Sequence, residues 1–375
     1  MAKITKKSVR TKRELLDSAC ELFSVNWYDT VSISNISKHA GKSNGAFYNY
    51  FKNKEEIFLT LLDNFLSILE HEMEKIEGQS LEERLNKFLT ITIDTGRNNK
   101  KLVTLFREGQ YRFNEMEKRL RDIYVKALSS VYMRELSETE YLFITGPLRF
   151  ISIRSLYHNR PYDRETLKKI ILNGLFSQSE FNPERVFSNI DLTVKREIGN
   201  TREILLEKAA ELFGEEGYHQ VNIYDITRSS KFAVGTFYRH FPSKESILGE
   251  LVIQIGTEIR KLIRNNLTKD MNLLEQTIRG FYVFISHMEK HRGFYKIVRE
   301  AEFVLEETVE EYYNNFEKGY LKSSFPESMD SVTVANALSG IGHYFGIEDI
   351  FSNNITDTVK SLKFLSIYLR SGISR

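Results

Sequence analysis

The chain has 375 residues, 41% hydrophobic and 28% charged, with a formal net charge of +2. This length favours two or more domains, and the composition is that of a globular protein rather than a disordered or fibrous one. Its one cysteine, Cys20, excludes an intrachain disulfide and argues against a cysteine-built zinc site. No apolar run reaches the roughly 18 residues that span a bilayer, and the basic N-terminus MAKITKKSVRTKR lacks the apolar stretch of a secretory signal. A cytoplasmic protein without cofactor or membrane partner is expected. Five prolines and 20 glycines are few, which favours helices throughout.

In chain order, Leu15, Leu16, Ala19, Leu22 and Phe23 form the apolar stripe of an amphipathic helix that ends near Asn26. A short second helix starts after its N-cap Ser32 and turns Ile36 and Ala40 inward. Gly41 supplies a tight turn, and a third helix runs from about Ser43 to Tyr48 with Phe47 and Phe51 packed inward. Asn53 caps a longer fourth helix that opens Lys54-Glu55. Two short helices joined by a tight turn form a helix-turn-helix, whose second helix enters the DNA major groove. Residues 58–178 read as helices with polar breaks near Gly78 and Asn159, apolar at helical spacing over about 140–157 and 164–177. Residues 179–197, with Pro183 and many polar side chains, read as a linker.

The pattern then restarts. With a constant offset of 190, Thr11 to Ile57 aligns with Thr201 to Ile247, and 18 of 47 positions are identical. Gly217, Asn222 and Ser243 stand for the end of the first helix and the caps of the second and fourth. Residues 248–375 again read as helices, apolar over about 331–346 and 355–371, and share only fragments with 58–178, such as Arg107-Glu108 with Arg299-Glu300. A period this long marks a duplicated domain rather than a solenoid.

Ala19-x-Glu21-Leu22-Phe23, Tyr28, Val31, Ile36, Ala40-Gly41 and Gly45-x-Phe47-Tyr48-x-x-Phe51-x-x-Lys54-Glu55 together resemble the N-terminal domain of TetR-type repressors. The second copy shows Ala209 to Phe213, Tyr218, Val221, Ile226 and Gly235-x-Phe237-Tyr238-x-x-Phe241-x-x-Lys244-Glu245 in the same order. The resemblance covers about 50 residues per copy and implies an all-α chain of two tandem TetR-like units. Each has a three-helix helix-turn-helix head and an antiparallel helical-bundle body for ligand binding and dimerisation. The implied domains are 1–57 and 198–247 for the heads and 58–178 and 248–375 for the bodies. In this family the last two body helices pair two chains in a four-helix bundle; here the two copies can supply those helices from one chain, giving an intramolecular pseudo-dimer.

The presumed base-reading positions are Asn44, Ala46 and Asn49 in head 1 and Val234, Thr236 and Arg239 in head 2, with Ser43, Gly45, Gly235 and His240 beside them. Asparagine suits adenine edges, arginine grips guanine, and Val234 and the Thr236 methyl suit a thymine methyl. Tyr48, Tyr50 and Tyr238 can offer hydroxyls to phosphates, and Lys54 and Lys244 stand in first helical turns where a phosphate would dock. Unlike reading residues imply an operator with two unlike half-sites. Residues 1–54 hold ten Lys/Arg, Lys3 and Lys6 among them, against four acids, whereas residues 193–244 hold eight against seven. Head 1 should carry more of the non-specific grip. Lys231 replaces the turn glycine in head 2, where lysine tolerates a left-handed turn poorly, so a different bend or weaker binding is expected there.

Aromatic residues crowd both bodies, Phe106, Tyr111 and Tyr124 in one and Phe281, Phe284, Tyr295 and Tyr312 in the other. Core packing is the plain account of them; the family resemblance adds a pocket for a small apolar or amphipathic effector, with Arg107, Arg299, His287 and His343 as candidate polar contacts. No phosphate-binding loop, dinucleotide fingerprint, metal-ligand cluster or nucleophile elbow is present, which argues against an enzyme. Two rivals remain: a partner-dependent regulator in which only head 1 binds DNA, and a homodimer of two-headed chains.

Overall fold

The computed structural model describes residues 6–194, 199–352 and 354–374, without the side chains of Lys6, Tyr111 and residues 351–352. Lys3 of the basic arm, the end of the expected linker, 195–197, and the first residue of the expected head 2, 198, lie outside the described residues. Among the described residues there is no strand, and no helix is long and apolar enough to cross a membrane.

Head 1 comprises α1 (Lys6–Phe23), α2 (Ile33–His39) and α3 (Asn44–Tyr48). The Ser32 hydroxyl caps α2 by accepting from Asn35 N–H at 3.1 Å, and Asn35 returns a bond to the Ser32 N–H, closing a capping box. Leu15, Ala19, Phe23, Ile36, Phe47 and Phe51 are buried and form the core of the three helices. α4 (Lys54–Met73) leaves the head and packs against α5 (Leu81–Asn98), α6 (Lys100–Arg112) and α7 (Asn114–Tyr132).

α8 (Glu138–His158) and α9 (Arg164–Asn173) follow, then one turn of helix, α10 (Pro183–Val186). Head 2 is α11 (Thr201–Glu215), α12 (Ile223–Ser229) and α13 (Val234–His240), around the matching core Leu205, Ala209, Phe213, Ile226, Phe237 and Phe241. Its turn corrects one expectation. Lys231 adopts φ 58° and Gly41 φ 64°, so both heads turn through the same left-handed residue. In each, the following N–H reaches back into the second helix: Lys42 to the Ser37 carbonyl at 2.8 Å, Phe232 to the Thr227 carbonyl at 2.9 Å. Those bonds and the shared core hold lysine in a conformation that costs it about 1 kcal/mol. Head 2 does not bend differently.

The second body comprises α14 (Lys244–Asn266), α15 (Leu273–Lys290), α16 (Arg292–Ala301), α17 (Glu306–Tyr320), α18 (Ser331–Ile347) and α19 (Thr358–Ser371). Contacts divide the chain into two compact units, one ending at Leu136 and the other beginning at Ser137, rather than near residue 178. The reason is α8. It is apolar on all sides, every residue from Tyr141 to Leu148 being buried, so it must lie inside a core. It packs on α18 and α19, while α9 packs on α18 and α19 in return. α8 and α18 cross where Gly146 meets Gly340, so closely that a Cβ on Gly340 would stand 2.9 Å from the Gly146 carbonyl oxygen.

A buried ion cluster pins this crossing. Arg154 of α8, 3% exposed, reaches Glu317 of α17 at 2.8 Å and Glu310 at 2.6 Å, and also bonds Asn314 and Asn336; Arg160 joins through Glu317, itself 4% exposed. Removing one partner of such a cluster leaves an uncompensated buried charge, at a cost of about 3–5 kcal/mol. The expected linker is also not a free tether over its described residues. Asn182 N–H and the Arg185 guanidinium bond to buried Glu275, and Arg279 donates to the carbonyls of Val186, Ser188 and Asn189. The Arg185 side chain and the linker's own backbone groups answer charged residues of α15, a match that local composition does not reveal.

Candidate nucleic-acid interface

α3 and α13 each bury one aromatic face and present the other. Phe47 and Phe237 are fully buried, whereas Tyr48 and Tyr238 are 59% and 55% exposed. Position by position, burial from 41 to 50 is the same as from 231 to 240. Asn44, Gly45 and Asn49 are exposed and Ala46 and Tyr50 half-buried; Val234, Gly235 and Arg239 are exposed and Thr236 and His240 half-buried. Ser43 spends its hydroxyl capping α3 through Ala46 N–H at 3.2 Å, and α13 has no such cap because Ala233 stands there. A Cβ on Gly235 would meet nothing within 4 Å, and one on Gly45 only the Ser43 hydroxyl at 3.9 Å. Internal packing therefore does not require these glycines, and a flat surface is left for close approach of another molecule.

Lys54 and Lys244 are placed otherwise than expected. The Lys54 ammonium turns inward, donates to the Tyr28 carbonyl at 2.8 Å and lies 4.2 Å over the Tyr28 ring. The Lys244 ammonium donates to the carbonyls of Tyr218 and Val221, both at 2.9 Å, and lies 4.0 Å over the Tyr218 ring. Burial lowers the pKa of both lysines. Each lysine fastens the loop before the second helix, which displaces the phosphate-docking role. The pull of loop carbonyls and an aromatic face exceeds that of open solvent at a helix N-terminus, where the macrodipole disfavours a cation.

The same tyrosines tie each head to its body. Tyr28 N–H donates to the Glu108 carboxylate of α6 at 3.0 and 3.3 Å, and Tyr218 N–H donates to Glu300 of α16 at 2.5 Å. Glu108 is 7% exposed, and burial pushes its pKa up to about 7 against the pull of the Tyr28 bond and Arg112. These two acids join head to body, a placement that sequence reasoning missed. Their signal was the Arg-Glu pair shared by the two bodies, whose neighbouring arginines, Arg107 and Arg299, drew the attention instead.

The second body holds a cavity of about 620 Å³ lined by residues of α14, α15, α17 and α18. Of the four candidate effector contacts, His343 lines it, and Arg299 lies behind His343 around a smaller void. His343 Nδ1 lies 2.9 Å from the Tyr295 hydroxyl, and burial pulls its pKa down to about 4, so the ring is neutral near pH 7. His287 is not at the cavity; it is buried with Nε2 3.0 Å from Glu258. Arg107 belongs to the other unit and does not line it.

Two helix-turn-helix heads with exposed second helices define a DNA-binding protein of unusual count. Residues 15–61 and 205–251 both match the family described as bacterial regulatory proteins, tetR family. YdgC of Bacillus subtilis, an uncharacterized HTH-type transcriptional regulator, is 28% identical over 151 residues, 38% of this chain and 76% of its own length. The TetC protein of transposon Tn10 from Escherichia coli is 28% identical over 176 residues, 44% of this chain and 76% of its own. Among solved structures, the fatty acid degradation regulator FadR from Bacillus halodurans aligns at 18% identity with a TM-score of 0.40, over 48% of this chain and 98% of its own. The chain carries the DNA-binding domain of the TetR family of helix-turn-helix transcriptional regulators twice.

Proposed function

We propose that this chain is a ligand-responsive repressor that grips one asymmetric operator with α3 and α13, working in the cytoplasm as a monomer folded into a pseudo-dimer. The observation that carries this reading is the match of burial along α3 and α13 together with the mismatch of what they expose, Asn44 and Asn49 in one and Val234 and Arg239 in the other. Identical frames presenting different side chains suit two unlike half-sites; a homodimer of single-headed chains would suit a palindrome. The Arg154 cluster supports pairing within one chain, since α8 and the acids of α17 come from different repeats. The left-handed turn retained at Lys231 weighs against a second head that has lost its DNA-binding geometry.

Ligand responsiveness is supported by the cavity's walls. α14 runs from the Lys244 fastening of head 2 to Arg260 and Ile263 at the cavity. Phe150 of α8 packs on Tyr313 and His343, which line it, at ring separations of 5.1 and 5.9 Å. An occupant would thus touch helices that lead to one head and to the crossing between the repeats. It acts as an inducer only through unequal affinity for the DNA-bound and free arrangements.

Selection of random duplexes on the purified chain tests the proposal, with the mass of the complex measured at nanomolar protein. Two unlike half-sites bound by one chain are expected. A perfect palindrome as the best site, or two chains on every operator, overturns it.

A further inference from the structure

The cavity in the second body is lined by both aromatic and cationic side chains. Phe281, Phe284, Tyr312 and Phe316 make an aromatic interior, while Arg260, Arg264, Lys318 and Lys322 line the same space, the last three exposed to solvent. No described carboxylate closes an ion pair with any of these four cations. Arg260 donates to the Thr257 hydroxyl at 3.1 Å and lies 5.5 Å over the Phe316 ring; Lys318 donates to the Asn315 amide oxygen at 3.2 Å. Burial and the charge of Arg264 lower the Arg260 pKa, with Tyr312 and Glu311 opposing them. Elsewhere in this unit, Arg154, Arg160 and Arg185 each meet a carboxylate. A half-buried arginine beside a second cation and without an ion-paired acid carries an electrostatic cost that the more distant Glu311 only partly offsets, and an anion placed between the two cations removes it.

Taking the cavity as the effector site, as read above, we infer that its ligand is an anion with an aromatic or similarly bulky apolar body. Arg260 and Arg264 hold the acidic group, Lys318 and Lys322 add attraction at the mouth, and the rings of α15 and α17 take the body. Neutral compounds of the same shape gain only the apolar part, and cations are repelled.

Two fluorescent probes with one aromatic frame test this on the full chain: 1-anilinonaphthalene-8-sulfonate and N-phenyl-1-naphthylamine, which lacks the sulfonate. The sulfonate is expected to bind at least about tenfold more tightly, as charge-assisted hydrogen bonds require. The double substitution Arg260→Gln, Arg264→Gln should bring it to within about threefold of the uncharged probe, whose own Kd stays put, and Arg260→Lys should keep most of the preference. Equal affinity for the two probes, or a sulfonate Kd unmoved by the double substitution, overturns the inference. Operator release followed in the same titrations separates the two claims. Charge-dependent binding that leaves operator affinity unchanged keeps the ligand class and removes the effector reading. Release by the uncharged probe as readily as by the sulfonate keeps the effector reading and removes the ligand class.

Discussion

Heads 1 and 2 share one frame and one tyrosine–glutamate tie to their bodies, but the contacts around that tie differ. In head 1 the Tyr28 ring lies between Lys54 and Arg112, at 4.2 and 4.6 Å, Arg112 pairs with Asp29 at 2.6 Å, and Lys101 of α6 pairs with Glu21 of α1. In head 2, α11 and α16 meet backbone to backbone, where a Cβ on Gly214 would stand 2.9 Å from the Gly293 Cα, and the Tyr218 hydroxyl donates to Glu245 at 3.0 Å. Exposed ion pairs hold loosely and yield to salt; a glycine crossing holds by close packing and does not. Duplication has left the fold of each head alone and changed what surrounds it. Both heads carry an exposed ion pair to the body, Arg202 of α11 with Glu250 of α14 in head 2, but only head 2 adds a glycine crossing, and it adjoins the body that holds the cavity.

The largest expected effect comes from emptying either frame. Phe47→Ala and Phe237→Ala each remove a fully buried ring that also packs on the next aromatic, Phe51 or Phe241, at 5.6 Å. Each should cost about 3–5 kcal/mol of local stability. Denaturant unfolding and footprinting should show one half-site lost in each case, a different one for each variant. Loss of the whole footprint by either alone would mean that the heads cannot act separately.

Acidity should tighten head 1 through Glu108. Its carboxyl has a folded-state pKa of about 7, above the ordinary 4.5, so the folded protein binds more protons in that interval. The contribution to docking is therefore full below about pH 4.5 and falls as pH rises through 7, by on the order of 3 kcal/mol at most. Exchange of the Tyr28 amide should accelerate between pH 5 and 8 beyond the intrinsic rate. Glu108→Gln, which keeps an acceptor oxygen, should flatten that excess. An unchanged excess in the variant would assign it to another group.

Reading residues should separate the heads at the level of sequence preference. Arg239→Ala is expected to cost about 1–3 kcal/mol at one half-site and relax its base preference, with the other half-site unaffected; Asn49→Ala should do the converse. Both side chains are exposed on their helices, so stability should barely move. Uniform weakening over all sequences would make them phosphate contacts instead.

Much of this was legible in the residues because it depends on near neighbours. The cap at Ser32, the inward Phe47 and Phe51 and the restart at Thr201 rest on spacing within a turn or two of helix, and the structure places them so. What was not legible depends on partners far along the chain. Lys54 finds a carbonyl 26 residues away and Tyr28 a carboxylate 80 residues away, and neither separation carries a periodic signal. The assignment of α8 to the second unit is of the same kind, since helix pattern reveals that a segment is buried but not against what. The cavity's unmatched cations likewise appear only once four helices are assembled.

The turn before the reading helix tests the comparison most finely. Gly41 and Lys231 hold the same left-handed φ, 64° and 58°, and a Cβ at Gly41 would meet nothing within 4 Å, so space is not the issue and only backbone preference differs. Lys231→Gly should therefore stabilise head 2 by about 1 kcal/mol, and Gly41→Lys should destabilise head 1 by a similar amount, with both footprints unchanged at saturating protein. The gain is smaller than the full left-handed penalty because glycine also frees the unfolded chain. Denaturation midpoints of the two variants against the parent decide it. Opposite shifts of similar size mean that the heads differ at this turn only in strain. No shift for Lys231→Gly would mean that its side chain offsets the cost through contacts of its own, and that the second head has adapted to the residue it carries.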